Sequence, residues 1–251
     1  MSFRLRREEV LSGEQLSAML GESPARAAQA IVLAAKAGLI DGQALLGQIL
    51  LEGRGIAKDQ ALAVRWFEIA ARGGHLMARN MLGRCHEHGW GCVADAAVAA
   101  RHYAIAADAG LDWAQYNLAN LLATGRGVAL DQVQALNRYR RAAEAGHAKS
   151  MNLLGRYLEE GLACTADPSA ARAWYRRSAE GGDFRGQFSH ATLLAQDGHV
   201  DEAVMWLRKA LAGGNVNFLR ASSKSLLDAN HPKIREMARA YQMRLSELAE
   251  V

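Results

Sequence analysis

The chain has 251 residues, half of them apolar but only 6% aromatic, with three prolines, a balance of alanine and leucine over rings that favours helices. A formal charge of +4 would suit an acidic partner, but the cations form no dense stripe of the kind a nucleic-acid footprint needs. No apolar segment follows the arginines of MSFRLRREEV, no later run is long enough for a membrane span, and three cysteines make no disulfide framework. A soluble, unexported, cytoplasmic protein without membrane contact is expected.

From Met1 to about Ser12 the chain is charged and commits to nothing beyond the opening of a first helix. Residues Gly13 to Gly21 read as a short helix. Ser23-Pro24 then marks a new start, serine as N-cap and proline at the first helical position. The helix over Ala25–Ala37 stops at Gly38, and from there a period can be counted. Gly38, Gly74, Gly110, Gly146 and Gly182 are each 36 residues apart, the spacing of a repeat architecture.

Other columns keep the same step: Gly47, Gly83, Ala119, Gly155 and Ala191; Asp59, Asp95, Asp131 and Asp167; Phe67, Tyr103, Tyr139 and Tyr175. Each has a physical task. The glycine pairs, such as Gly53 and Gly55, end a first helix and turn the chain back. The aspartate four residues beyond the second glycine accepts the free N–H groups opening a second helix. The aromatic column and the small residues after it lie on one face, where two helices approach closely. Each unit is therefore a helical hairpin, and one hairpin cannot bury both its faces, so neighbours stack.

After Gly186 the pattern shortens, with Gly182 and Gly214 only 32 residues apart, and from Asn217 it is lost. Beyond Asn230-His231-Pro232, Ile234, Met237, Ala238, Tyr241, Leu245 and Leu248 share one helix face, which would cover the open end of the stack.

The motifs Leu46-Gly47, Gly53-Arg54-Gly55-Ile56, Asp59, Trp66-Phe67 and Ala70-Ala71, repeated from Leu118 and from Leu154, resemble the Sel1-like repeat family, relatives of the tetratricopeptide repeat. The resemblance implies an all-α, right-handed α-solenoid of stacked antiparallel helix hairpins with a C-terminal capping helix, usually an adaptor between proteins. The expected organisation is a single domain: a degenerate hairpin at 1–41, repeats at 42–77, 78–113, 114–149 and 150–185, a shortened repeat at 186–216 and a cap at 217–251.

Three groups of residues are candidates for function. Cys85, His86, His88 and Cys92 have the donor types of a structural zinc site, and a metal-binding or enzymatic protein built on them is one alternative. The period argues against it, because Cys85 stands in the column of Ile49 and Leu121 and Cys92 in that of Ile56 and Val128, both core columns. Arg138, Arg140, Arg141, Arg172, Arg176, Arg177, Arg208 and Lys209 on the second helices are a second group, which as an outer ridge would give a nucleic-acid-binding alternative. Their simpler role is a solvated helix face.

The third group follows from the resemblance. In related repeats the first helix of each unit lines the concave side, with inward residues two and six places into it. Here those are Ala44 and Gln48, Asn80 and Arg84, Tyr116 and Asn120, Asn152 and Arg156, Phe188 and Thr192, with Glu87 and Glu159 one turn later. Asparagine amides suit a peptide backbone and arginine forks a carboxylate, an arrangement similar to the carboxylate-binding one of some tetratricopeptide modules. The expected function is a non-catalytic scaffold that grips a protein or peptide with Asn80, Arg84, Glu87, Tyr116, Asn120, Asn152, Arg156, Glu159 and Phe188. No cofactor, metal or small-molecule substrate is expected.

Overall fold

A computed structural model describes residues 15, 21 and 23–249. Apart from 15 and 21, the opening at Met1–Ser12 and the short helix expected at Gly13–Gly21 lie outside the described residues. The described chain is helical throughout and divides into two compact units at Leu130 and Asp131. The first unit holds α1 (Pro24–Lys36), α2 (Ile40–Glu52), α3 (Gln60–Arg72), α4 (Leu76–His88), α5 (Ala96–Asp108) and α6 (Asp112–Thr124). The second holds α7 (Gln132–Glu144), α8 (Ala148–Glu160), α9 (Pro168–Glu180), α10 (Phe184–Gln196), α11 (Val200–Gly213), α12 (Val216–Leu227) and α13 (Pro232–Ala249).

Within the first unit each helix packs on the next, from α1 to α6; within the second the same holds from α7 to α11, and α13 packs on both α12 and α11. The aspartate column caps the second helices as its position requires. Asp59, Asp95, Asp131 and Asp167 accept the backbone N–H groups of Leu62, Val98, Gln134 and Ala170 at 2.8–2.9 Å. Glycines Gly53, Gly89, Gly125 and Gly161 close the first helices in the left-handed conformation. Gly47, Gly83 and Gly155 let a ring lie on bare backbone: a Cβ there would stand 2.7, 2.4 and 2.7 Å from Phe67, Tyr103 and Tyr175.

In the shortened repeat the seven-residue connection of the full ones, such as 53–59, becomes the three residues 197–199. Helix α11 starts at Val200, so Asp201 lies in its first turn, where it binds Lys233 of α13 at 2.7 Å. The apolar face of α13 is buried through Ile234, Met237, Ala238 and Tyr241, and the Tyr241 hydroxyl donates to the Leu207 carbonyl at 2.8 Å. That helix caps the end of the second unit.

One cap carries a cost. Asp183 opens α10, accepting the Gly186 N–H at 2.9 Å with one carboxylate oxygen, while the other is buried without a partner. Burial pushes its carboxyl pKa up. A carboxyl raised in this way favours the folded state at acid pH, and that contribution is lost as pH rises through the raised value. Asp183→Asn keeps the accepting oxygen and removes the buried charge. It is expected to raise Tm at neutral pH, and that advantage is expected to shrink at pH 4, where more of the wild-type carboxyl is protonated than at neutral pH. Thermal unfolding followed by circular dichroism at both pH values tests this, and a gain of equal size at both would reject the account.

Candidate functional site

The exposed parts of the first helices are the candidate site, and the units present them differently. In the first, Asn80 of α4 is only 2% exposed: its Oδ1 accepts from Asn117 Nδ2 at 2.9 Å, and its own amide points at Met77 Sδ. Arg84, one turn on, is half-buried with its guanidinium over the Trp90 ring, 5.0 Å from the centroid. Glu87 accepts the Tyr103 hydroxyl at 2.6 Å and forms an ion pair with Arg126. Tyr116 and Asn120 of α6 are half-buried, and Gln48 of α2 binds Glu52 on its own helix.

In the second unit Asn152 of α8 repeats the Asn80 arrangement, accepting from the Ser189 hydroxyl at 3.0 Å. Arg156 is exposed, its Nε 3.9 Å from Glu160. Glu159 accepts the Tyr175 hydroxyl at 2.7 Å, and burial together with that carboxylate drives the phenol's pKa up. Phe188 of α10 stands edge-on to Phe218, 5.7 Å between centroids, and forms one wall of a cavity of about 220 Å³. The floor is apolar, with Ala191, Ala195, Leu207, Leu226 and Ile234. The rim is polar, with Thr192, Gln196, Asp228, Asn230 and His231.

The structure thus joins the expected residues in small sets rather than one row. Asn80 and Asn152 hold the adjacent first helix of their own unit, and Glu87 and Glu159 hold the second helix of their own hairpin. Arg84, Tyr116 and Asn120 in the first unit, and Arg156 and Phe188 in the second, keep part of their surface accessible. Sequence reasoning missed the cavity rim at Asp228, Asn230 and His231; the shortened connection at 197–199 was the signal, since it removes the loop that lies beside the first helix in the full repeats.

The cysteine–histidine cluster does not assemble. Cys85 is wholly buried, and burial, with Cys92 adding, pushes its thiol up to about 12. Cys92 lies 3.6 Å from His86 Nδ1, its thiol also raised by burial, whereas His88 turns to the Trp90 ring. His86 stacks parallel on His102, which burial and the neighbouring charge push down to about 4. Among the described residues no three His, Cys, Asp or Glu side chains gather as metal ligands, so the metal alternative loses its geometry. No described helix is long and apolar enough to cross a membrane.

Comparison with known proteins places these features. The profile of the Sel1 repeat matches residues 40–75, 76–111, 114–147, 148–183 and 196–215. No curated protein sequence matches the chain. Among solved structures, a Sel1 repeat protein from Oxalobacter formigenes superposes with a TM-score of 0.78 at 23% identity, over 94% of this chain and 99% of that one. The protective antigen c5321 of uropathogenic Escherichia coli, which displays an SLR fold, gives 0.69 at 26% identity over 94% of this chain and 52% of its own. The immunity protein Pa5087 of Pseudomonas aeruginosa gives 0.55 at 14%, over 83% and 81%. At such identities these likenesses speak chiefly to fold.

Proposed function

Since this chain belongs to the Sel1 repeat family, we propose that it is a non-catalytic interaction scaffold that binds a protein segment on the face of its first helices. The observation that carries this reading is the opening of that face, at Phe188 and Thr192, onto a cavity of about 220 Å³ with an apolar floor and polar rim. That volume is below the range usual for small-molecule sites and suits one large apolar side chain of a peptide. Arg156 on α8 of the same unit supplies a guanidinium for a carboxylate or backbone carbonyl of the same segment. In the first unit Arg84, flattened over Trp90, with Tyr116 and Asn120 offers a second foothold. Asn80 and Asn152 support the face from behind and are not assigned to the partner. Three free thiols at Cys85, Cys92 and Cys164 suit a reducing compartment such as the cytoplasm.

A phage-displayed random peptide library tests the reading. The full chain is expected to enrich peptides sharing a large apolar residue, and Thr192→Trp, which fills the cavity from its exposed rim, is expected to abolish that enrichment. Arg156→Ala should weaken binding of the selected peptides about tenfold, the usual cost of a lost charge-assisted contact. Enrichment that survives both substitutions would remove the assignment.

A further inference from the structure

The turn between one hairpin's second helix and the next hairpin's first helix forms an edge of each unit, and its chemistry changes along the sequence. The tenth residue of the second helices is Leu33, Ile69 and Ile105 in the first unit, 44%, 37% and 51% exposed. In the second unit the same position is Arg141, Arg177 and Lys209, all exposed. The second residue of the first helices also changes: Asp41, Met77 and Trp113 in α2, α4 and α6, but Lys149 and Arg185 in α8 and α10.

We propose that this cationic edge of the second unit is a docking surface for an acidic segment of a protein partner. Folding accounts for part of it. A cation near a helix C-terminus is favoured by the dipole, which covers Arg141 and Arg177, whereas Arg185 and Lys149 stand in the first turns of their helices, where the dipole opposes them and their attraction to the buried Asp183 carboxylate offsets that cost. At the tenth position of the second helices the first unit carries apolar residues instead, so the repeat itself needs no charge there. Three of the cations are held ready: Arg177 lies over Trp174 at 4.2 Å, Arg185 over Phe184 at 4.5 Å and Lys209 over Trp206 at 4.0 Å. None of these three has a carboxylate within 4 Å among the described residues, whereas neighbouring Arg172 and Arg176 are paired with Asp197 and Glu180.

The same stacking argues for a protein over a nucleic acid. Single-stranded nucleic acid is gripped by open aromatic faces on which bases stack, and here one face of each ring is covered by the chain's own cation. The cations also come singly, about one per helix end, which suits spaced carboxylates met by guanidinium forks better than a continuous phosphate backbone.

The test uses the full chain and two labelled probes, a short polyglutamate peptide and an oligothymidylate of equal length, followed by fluorescence anisotropy in low salt. Polyglutamate is expected to bind more tightly than oligothymidylate. The variant R141Q/R177Q/R185Q/K209Q is expected to weaken it about tenfold, since each exposed pair contributes only a little. A control, R65Q/R101Q on exposed positions of α3 and α5, should leave it unchanged, as should Thr192→Trp, which separates this edge from the first-helix face. Circular dichroism verifies that each variant is folded, and R185Q alone, on an exposed side chain, gives the same direction with a smaller loss. Equal polyglutamate affinity in wild type and both edge variants overturns the proposal. So does tighter binding of oligothymidylate that the edge variants abolish, which would make the edge a nucleic-acid surface.

Discussion

Replacing Tyr241 by alanine is expected to cost about 4 kcal/mol, the loss of a fully buried ring with its cavity plus the hydrogen bond to the Leu207 carbonyl. The ring is wholly inaccessible and meets Phe188 and Phe218, with centroids 6.4 and 6.1 Å away. Because stacked hairpins are stabilised chiefly by their neighbours, the loss should appear first at the end of the stack. Hydrogen exchange is expected to quicken across α11 to α13 while α8 and α9 keep their protection. Tyr241→Phe retains the ring and should cost only about 1 kcal/mol. Uniformly faster exchange through the second unit would show that α13 is not a local cap, and a loss in Tyr241→Phe equal to that in Tyr241→Ala would show that the ring is not what holds it.

Gly91→Ala is expected to cost about 3 kcal/mol, more than a typical surface substitution because two penalties coincide. Its φ of +70° is a left-handed conformation that alanine adopts at about 1 kcal/mol. The added Cβ would also stand 2.1 Å from the Gln60 carbonyl oxygen, backbone at the start of α3, so the loop must lift away from the preceding hairpin. Gly110→Ala separates the two penalties: its φ is +95° and a Cβ there meets nothing within 4 Å. Urea unfolding should therefore place the Gly91→Ala midpoint well below that of Gly110→Ala. Coincident midpoints would mean that the approach of the loop to Gln60 is relieved at no cost.

The hairpins were readable from the sequence because their determinants are local. The aspartates cap, the glycines turn, and the aromatic column needs the glycine or alanine that faces it. The candidate site was readable only in part. Counting two and six places into a first helix gives the direction of a Cα–Cβ bond, but not whether a neighbour's side chain meets it. Asn117 and Ser189 reach Asn80 and Asn152 from 37 residues further on. A trace of this was present: where Ala44 replaces the asparagine, position 81 is Met rather than a polar residue. Likewise Glu87 and Glu159 coincide with Tyr103 and Tyr175, while Leu51 coincides with Phe67. The cavity rim belongs to no column, because its residues come from a connection outside the period, and the shortened connection at 197–199 is its sign in the sequence.

The junction at Glu87 bears on how such a chain can be lengthened or cut. Its carboxylate answers a tyrosine in its own hairpin and an arginine from the loop that follows α6. Position 51, one period earlier, holds leucine in the same cluster as Trp90, the residue one period before Arg126. Successive joints are therefore keyed differently, ionic at one and apolar at the other. Removing a single repeat would set an apolar half-joint against a charged one. Nor does the ionic joint recur two repeats on, because the position that answers Glu159 as Arg126 answers Glu87 is Gly198. The hairpins of this protein share one backbone plan but are not interchangeable parts, since each joint is keyed to its own neighbour.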